Sequence, residues 1–199
     1  MTITYVLGNE LYVNVTNRCT NRCDFCIRQN GDNVGNDSSL WLEREPTAEE
    51  IYDDIVKNEL DRYRELVFCG YGEPILRLDD IVQVVAKLKQ VSSISVRINT
   101  NGQADLYFGK PTAERLKGLV DTVSISLNNA DAERYEKTCH SIYGKNAFPA
   151  VIAYAKECKK YVSHVVFTVV DVIPPEEIEA CRRIAEDAGV DFRVRKMIR

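Results

Sequence analysis

The sequence predicts an α/β protein: a partial (β/α)6 TIM-like barrel with a parallel sheet, outer helices and an N-terminal hairpin. Two observations lead to this prediction. Strand-like and helix-like segments alternate along the chain, and a polar or glycine-rich segment follows most strands. Repeated βα units form parallel sheets with right-handed crossovers. About six strands are too few for a closed eight-stranded barrel, so we expect an open one. A flat, doubly wound sheet is the alternative.

The composition is that of one globular domain spanning residues 1–199. Hydrophobic residues make up 45% of the chain and charged residues 28%, as in ordinary soluble proteins. The net charge of −4 argues against generic nucleic-acid binding. No apolar run approaches the roughly 18 residues of a membrane-spanning helix, and no secretory signal begins the chain. Seven cysteines, an odd number, fit a reducing compartment, so we expect a cytoplasmic protein that binds neither nucleic acid nor membrane.

The first elements are a hairpin and a capped helix, separated by a long loop. Two apolar, β-branched runs within residues 1–16 flank Gly8-Asn9, a turn dipeptide. The loop over residues 27–46 is rich in Asn, Gly, Asp and Ser, and its length favours a functional lid or mobile segment. Thr47 then begins a helix, and Glu50 completes a capping box.

The rest of the chain repeats a strand followed by a helix. Apolar, β-rich segments predict strands over residues 65–69, 94–99, 122–127, 165–170 and 191–196. Helical periodicity and end motifs predict helices over residues 78–90, 112–118, 131–138, 147–161 and 174–188. In either fold, ligands bind at the carboxyl ends of the strands. We therefore expect a site formed by residues 19–26, 70–74, 100–102, 128–129 and 171.

Three cysteines form the most informative motif. Cys19, Cys23 and Cys26 follow a strand-like run with the spacing C-x3-C-x2-C, so three thiolates can converge on one inorganic centre. A cubane iron–sulfur cluster has four irons and needs four thiolates for full cysteine ligation, so three would leave one iron open to a substrate or cofactor. Structural zinc is the alternative, but such a site usually has four protein ligands. His140 is the candidate fourth ligand, with no second Cys/His pair near it.

The cysteine motif and two further features resemble the radical S-adenosylmethionine (SAM) enzymes. These features are Phe25, directly before the third cysteine, and the Gly-Tyr-Gly-Glu-Pro segment after the second strand. The resemblance implies that Cys19, Cys23 and Cys26 hold a [4Fe–4S] cluster whose open iron takes the amino and carboxylate groups of SAM. It also implies reductive cleavage of SAM to methionine and a 5′-deoxyadenosyl radical, which abstracts hydrogen from a substrate.

The resemblance further implies a set of cofactor contacts. Phe25 would pack against the adenine, with ordinary core packing as the alternative. Glycines let backbone groups approach a ligand closely, and Glu73 would balance the ammonium charge of the methionyl group. The segment expected to receive that amino group consists of Gly70, Tyr71, Gly72, Glu73 and Pro74.

Five other polar residues are candidate contacts at the strand ends. Asn101, Ser126 and Asn128 are expected to bind ribose hydroxyls or the methionyl carboxylate, and capping of strand and helix ends is their alternative role. Arg193 and Arg195 alternate on the last strand and are expected to face one side of the barrel. A buried arginine needs a partner, which would be an anionic substrate, the SAM carboxylate or a structural salt bridge.

Several shorter segments are similar to the small radical SAM proteins associated with TatD-type hydrolases. They cover residues 11–19, 68–74, 99–102, 124–128 and 192–195. The resemblance implies an oxygen-sensitive enzyme that receives electrons from a one-electron reductant of the flavodoxin or ferredoxin type. It also makes a TatD-type hydrolase a candidate partner. It does not identify the substrate.

Three functional hypotheses follow from these motifs. The first is a radical SAM enzyme that abstracts hydrogen from an unidentified small molecule or peptide. The second is an activase that abstracts hydrogen from a glycine backbone of a partner enzyme. The third is a non-enzymatic iron–sulfur or zinc module, which would produce no methionine and 5′-deoxyadenosine from SAM.

Overall fold

The computed structural model describes residues 1–29 and 39–197. The central part of the predicted lid, residues 30–38, lies outside the described residues. One seven-stranded sheet forms the centre of the fold, and its strands lie in the order of the sequence. The first two strands pair antiparallel as the predicted hairpin, and every later pair is parallel. The strands are β1 (Thr4–Leu7), β2 (Glu10–Val13), β3 (Glu65–Phe68), β4 (Ser95–Thr100), β5 (Thr122–Ser126), β6 (His164–Val170) and β7 (Asp191–Arg195).

The strand order confirms a partial barrel. A doubly wound sheet reverses its strand order at a switch point, and this sheet has no reversal, so the flat alternative is wrong. Within the described residues β7 pairs only with β6, which leaves the sheet open. Because parallel crossovers are right-handed, a sheet wound in one direction carries its helices on one face. The helices are α1 (Ala48–Val56), α2 (Leu78–Leu88), α3 (Ala104–Phe108), α4 (Ala132–Cys139), α5 (Ala147–Cys158) and α6 (Pro175–Ala188).

The two faces of the sheet differ in chemistry. Side chains alternate along each strand, and one set, which includes Leu66, Ile98 and Phe167, is fully buried in the hydrophobic core shared with the helices. The opposite set forms the inner face of the partial barrel. It carries polar residues that include Arg97 and Thr168, both almost entirely buried. This inner face is therefore suited to a polar ligand.

The helix ends have the predicted chemistry. The Glu50 amide donates to Thr47 Oγ1 at 3.2 Å, and the Thr47 amide donates to the Glu50 carboxylate at 2.8 Å, which confirms the capping box of α1. Helix α6 begins at Pro175 and ends at Ala188, and its C-cap Gly189 has the left-handed φ of +64°. In the part of the chain that is described, no helix has both the length and the apolar character needed to cross a bilayer.

One predicted helix is wrong. Residues 112–118 form only a 3-10 turn over Ala113–Leu116, because Pro111 and Gly118 leave room for little more than one turn. The helix of this unit is α3, which comes earlier and has only five residues. Asp105 in α3 accepts hydrogen bonds from the amide and the hydroxyl of Thr112, at 2.9 and 2.7 Å, and so ties the helix to the turn.

Candidate active site at the carboxyl ends of the strands

A cavity lies at the carboxyl ends of the parallel strands, where this class of fold binds ligands. It brings together the cysteine loop after β2, the loop after β3, the turn after β4 and the ends of β5, β6 and β7. Of the predicted contacts, Arg193 does not line it, and Gly102, Asn129 and Asp171 of the expected strand-end segments do not line it either. The predicted residues that line it are Cys19, Cys23, Phe25, Cys26, Gly70, Tyr71, Gly72, Glu73, Pro74, Asn101, Ser126, Asn128 and Arg195.

The cysteine loop is held against the end of α4 by backbone hydrogen bonds. The Arg22 amide donates to the Cys139 carbonyl at 2.9 Å, and the Asp24 amide donates to the Thr138 carbonyl at 3.0 Å. His140, the candidate fourth zinc ligand, lies at the C-cap of α4, where its Nε2 is 2.8 Å from Asp24 Oδ1. The loop conformation thus depends on a helix that is far away in the sequence.

The three cysteines surround the cavity without converging on one point. All three are free and half-buried. Among the described residues, no three His, Cys, Asp or Glu side chains are close enough together to hold one metal ion. A cubane binds each thiolate through a different iron, so its ligands stand farther apart than those of a single zinc ion. Three thiolates are the donor set of a cluster with one open iron, whereas a structural zinc site usually takes four protein ligands, so the donor set fits an iron–sulfur cluster better than structural zinc.

Hydrogen-bond donors surround Cys19. The Asn21 amide lies 3.4 Å from Cys19 Sγ, and Asn101 Nδ2 lies 4.0 Å from it. Burial, followed by the charge of Glu73, raises the pKa of the Cys19 thiol to about 12. A metal ligand must be deprotonated, so ligation would have to displace the proton that burial favours. Donors to the sulfur would then stabilise the thiolate.

The glycines at positions 70 and 72 have a packing role in addition to the one predicted. A Cβ on Gly70 would lie 2.1 Å from Asn14 Oδ1, and a Cβ on Gly72 would lie 2.3 Å from the Thr16 carbonyl oxygen. Both glycines thus allow the loop after β3 to pack against the chain that enters the cysteine loop. Both glycines also line the cavity, so the predicted close approach of their backbone to a ligand stays a prediction.

Glu73 joins three loops around the cavity. Its carboxylate accepts hydrogen bonds from the Asn101 amide at 2.6 Å and the Ile75 amide at 3.1 Å, and its own amide donates to the Arg18 carbonyl at 2.8 Å. Burial raises the pKa of Glu73 to about 7, against the opposing effect of those amide donors. A cation bound next to this carboxylate would favour its ionised form.

The aromatic and proline residues of the predicted site pack into their surroundings. Phe25 lines the cavity and also packs against the hydrophobic core, so both of its predicted roles are compatible with its position. Tyr71 is buried and meets Trp41 edge to face, with 5.1 Å between the ring centroids. Pro74 is buried at the start of a 3-10 turn that Glu73 caps.

The asparagines differ in how fully they are bonded. Asn101 Nδ2 donates to Thr20 Oγ1 at 2.8 Å, and Asn101 Oδ1 accepts from the Gln103 amide at 3.1 Å. Asn128 has a φ of +62° and is 4% exposed; its Nδ2 donates to Cys139 Sγ, but its Oδ1 has no hydrogen-bond partner in the described chain. A buried acceptor without a partner is costly, which is an indication of a ligand.

The polar inner face continues the cavity toward β7. Arg193 Nη2 donates to Ser124 Oγ at 3.4 Å, and Arg195 lines the cavity wall. Sequence reasoning missed Cys69 and Asn99, which also line the cavity. Their positions on alternate residues at the ends of β3 and β4 could have identified them, since inner-face residues recur with a period of two.

Comparison with known proteins identifies the family. The model of the radical SAM superfamily matches residues 13–188. Over 139 residues the chain is 32% identical to a GTP 3′,8-cyclase of Corynebacterium glutamicum (strain R), covering 65% of this chain and 33% of the relative. Over 156 residues it is 30% identical to a probable GTP 3′,8-cyclase of Thermococcus kodakarensis, covering 78% and 45%. The chain therefore spans about a third to a half of the length of these relatives.

Solved structures support the fold. SuiB of Streptococcus suis, bound to S-adenosylmethionine, aligns with 96% of this chain and 40% of its own at a TM-score of 0.67 and 18% identity. A radical SAM methyltransferase from Sphaerobacter thermophilus aligns with 97% of this chain and 68% of its own at a TM-score of 0.68 and 15% identity. The expected similarity to TatD-associated proteins receives no support from these matches. On the match over residues 13–188, the chain belongs to the radical SAM superfamily.

Proposed function

We propose that this radical SAM enzyme binds a [4Fe–4S] cluster and SAM in the cavity and abstracts hydrogen from a small-molecule or peptide substrate. One observation carries the proposal: three cysteines, a buried carboxylate and a buried acceptor without a partner line the same cavity. When bound, the cluster and SAM supply a one-electron cleavage that yields methionine and a 5′-deoxyadenosyl radical. The protein binds and orients the reactants and excludes water.

The residues around the cavity have complementary roles in this proposal. Cys19, Cys23 and Cys26 hold the cluster. Glu73 faces the methionyl ammonium, and the low dielectric of its buried position strengthens that attraction. Asn128 Oδ1 accepts a hydrogen bond from a ribose hydroxyl, which gives the buried acceptor the partner that it lacks.

Two further residues complete the proposed SAM site. Ser126 lies at the end of β5 and lines the cavity next to Asn128, so its hydroxyl is available for the ribose or the methionyl carboxylate. Phe25 offers an aromatic surface for the adenine from within the cysteine loop. Asn101 contributes less directly, since its side chain is already bonded to Thr20 and to the backbone.

The substrate and partners extend the proposal beyond the cofactors. The relatives are named for a reaction of GTP, so GTP is the first substrate to test. This chain spans only part of those relatives, and a different substrate is compatible with the same SAM site. The one-electron reductant of the flavodoxin or ferredoxin type and the TatD-type hydrolase remain proposed partners.

Anaerobic cleavage of SAM tests the proposal. The reconstituted protein is incubated with SAM and dithionite, and methionine and 5′-deoxyadenosine are quantified. We expect both products in equal amounts from the wild type and none from Cys23→Ala. Cys181→Ala is the matched control, because Cys181 is a buried cysteine in α6 that does not line the cavity. Absence of both products from the wild type would contradict the proposal.

The fate of the radical separates the two enzymatic hypotheses. Repeated turnover of GTP or another small molecule supports a radical SAM enzyme that acts on a free substrate. A stoichiometric radical on a partner protein would instead support the activase. The non-enzymatic module is disfavoured by membership in the enzyme superfamily.

A further inference from the structure

The inner face of the sheet carries three arginines in two different situations. Arg97 Nη2 lies 2.8 Å from Glu10 Oε2, and Arg97 Nε lies 3.2 Å from Glu65 Oε2. Arg193 and Arg195 have no carboxylate within ion-pairing distance in residues 1–29 and 39–197. One inner-face arginine is therefore neutralised by the protein, and two are not.

The register of β7 directs both unpaired arginines toward the inner face. Arg193 pairs with Thr168 in β6 and Arg195 pairs with Val170, so the two arginines stand two positions apart and point the same way. The hydrogen bond from Arg193 to Ser124, an inner-face residue of β5, fixes that direction. Arg195 borders the cavity directly. Arg195 thus stands at the β7 end of the cavity, and Arg193, which does not line the cavity, stands two positions before it on the same face of the strand.

Both arginines are exposed to solvent, and neither forms an ion pair in the described protein, although the charge of Arg193 acts on the Glu65 carboxylate. Desolvation by the surrounding chain is the main cause that lowers the pKa of Arg195, although part of its side chain stays exposed to solvent, and the positive charges of Arg193 and Arg97 act in the same direction. An oxyanion between the two guanidinium groups would relieve this repulsion. Arginine also matches the planar, bidentate geometry of carboxylates and phosphates better than lysine does.

An unpartnered acceptor lies near the same place. The Asn99 side chain hydrogen bonds the Cys69 thiol, whose electrostatic surroundings also include Arg195. Asn99 Oδ1 is buried and has no partner in the described chain, although the residue lines the cavity. A ligand that satisfies this oxygen must bring an N–H or O–H donor. One molecule with both an oxyanion and a hydrogen-bond donor would therefore be complementary to the arginines and Asn99 together.

We propose that Arg193 and Arg195 form an oxyanion subsite for the substrate, and that Asn99 Oδ1 accepts a hydrogen bond from the same molecule. The subsite rests on the proposed function, which makes the adjacent part of the cavity the SAM site. The substrate class is then a molecule with a phosphate or carboxylate group and a nearby N–H or O–H. The oxyanion fixes its position, and the donor fixes its orientation.

The carboxylate of SAM is the competing anion for these arginines. Glu73, the proposed partner of the methionyl ammonium, lies in the loop after β3, whereas the two arginines belong to β7 at the open edge of the sheet. Because the amino and carboxylate groups of SAM share one carbon, both must lie close to Glu73. Loss of the β7 arginines should therefore weaken the binding of an added oxyanion and leave SAM binding intact.

Calorimetric titration of the reconstituted protein, with SAM present, tests the subsite. Inorganic pyrophosphate is the phosphate probe and succinate is the carboxylate probe. The double variant Arg193→Gln/Arg195→Gln is compared with Arg183→Gln, which removes an exposed arginine of α6 without a carboxylate partner in the described residues. We expect the double variant to bind the preferred probe about tenfold or more weakly, and Arg183→Gln to bind it like the wild type.

Each outcome decides a separate question. Preference for pyrophosphate or for succinate identifies the class of oxyanion. Equal affinity of the wild type and the double variant for both probes, or a parallel loss of SAM affinity, would overturn the subsite. Arg195→Lys should recover part of the affinity, because it restores charge but not bidentate geometry. The titration needs no SAM cleavage, so failure of the proposed reaction is distinguishable from failure of the subsite.

Discussion

The two ends of the inner face both carry charged and polar side chains, but they differ in whether these side chains have partners within the protein. At the amino end, Arg97 lies between the carboxylates of Glu10 and Glu65, and the protein supplies all three charges. At the carboxyl end, Arg195 has no carboxylate partner in the described residues, and Asn128 keeps a buried acceptor without a hydrogen bond. The charges at the amino end are paired with one another, although Arg97 Nε makes no hydrogen bond, whereas the carboxyl end leaves a cation and a buried acceptor without partners in the described protein.

This difference separates stability from function within one sheet. A buried ion pair whose members are all present holds strands β2, β3 and β4 in register. Buried groups that lack partners cost free energy in the protein alone, and that cost can be recovered when a ligand binds. Substitutions of the paired charges at the amino end should therefore change stability, and substitutions of the unpartnered groups at the carboxyl end should change binding.

The largest expected effect comes from removing the arginine that is ion-paired at the amino end of the inner face. Arg97→Met would leave the Glu10 and Glu65 carboxylates without their shared guanidinium, and the loss of one partner from a buried ion pair costs about 3–5 kcal/mol. We expect a decrease of that order in the free energy of unfolding, measured by urea denaturation. Arg64→Met is the matched control, since Arg64 is an exposed partner of the same Glu10. Equal losses in both variants would contradict the comparison.

The second effect is a pH dependence at the carboxyl end. Burial raises the pKa of Glu73 from an ordinary 4.5 to about 7. Because the pKa is raised in the folded state, the contribution to stability is full below pH 4.5 and is lost as the pH rises through 7. A shift of this size corresponds to roughly 3 kcal/mol.

Denaturation of the cofactor-free protein checks this linkage. From about pH 5 to about pH 8, the free energy of unfolding should fall more in the wild type than in Glu73→Gln, by up to roughly 3 kcal/mol. The glutamine side chain has one acceptor oxygen for two amide donors, so this variant is expected to be less stable than the wild type at every pH. The quantity to compare is therefore the change in the free energy of unfolding with pH within each protein. The same pH dependence in both proteins would show that Glu73 is not the titrating group.

The third and smallest expected effect distinguishes an asparagine that contributes to SAM binding from one that contributes to stability. Asn128→Gly keeps the left-handed backbone and removes the unpartnered acceptor. We expect SAM affinity to fall about fivefold to thirtyfold, because the loss of one hydrogen bond costs about 1–2 kcal/mol. Asn101→Ala removes a bond to Thr20 instead and should lower stability by about 1 kcal/mol. Unchanged SAM affinity in Asn128→Gly would remove this residue from the proposed site.

Local sequence motifs were sufficient to predict most of the residues that line the cavity. The spacing of Cys19, Cys23 and Cys26 and the segment over residues 70–74 are continuous in sequence, and the rule that strand ends share an edge brings them together. The partial barrel was predictable for the same reason, because each βα unit carries its own periodicity. Helix α3 was missed because five residues give no measurable period.

Long-range partners were beyond sequence reasoning. The contacts of Arg22 with Cys139 and of Asp24 with Thr138 join segments more than a hundred residues apart, and no local pattern indicates them. The same holds for the pairing of Arg97 with Glu10, which depends on the order of three strands. Only the folded structure shows which buried polar groups have hydrogen-bond or ion-pair partners. The two ends of the inner face differ in this property.

The most direct test of an incomplete carboxyl end is electron paramagnetic resonance of the anaerobically reconstituted, dithionite-reduced protein, recorded with and without SAM. The account predicts a reduced-cluster spectrum in the wild type that changes when SAM is added, and no such spectrum in Cys23→Ala. A wild-type spectrum that is identical with and without SAM would contradict the claim that the open iron and the residues around it form a SAM site.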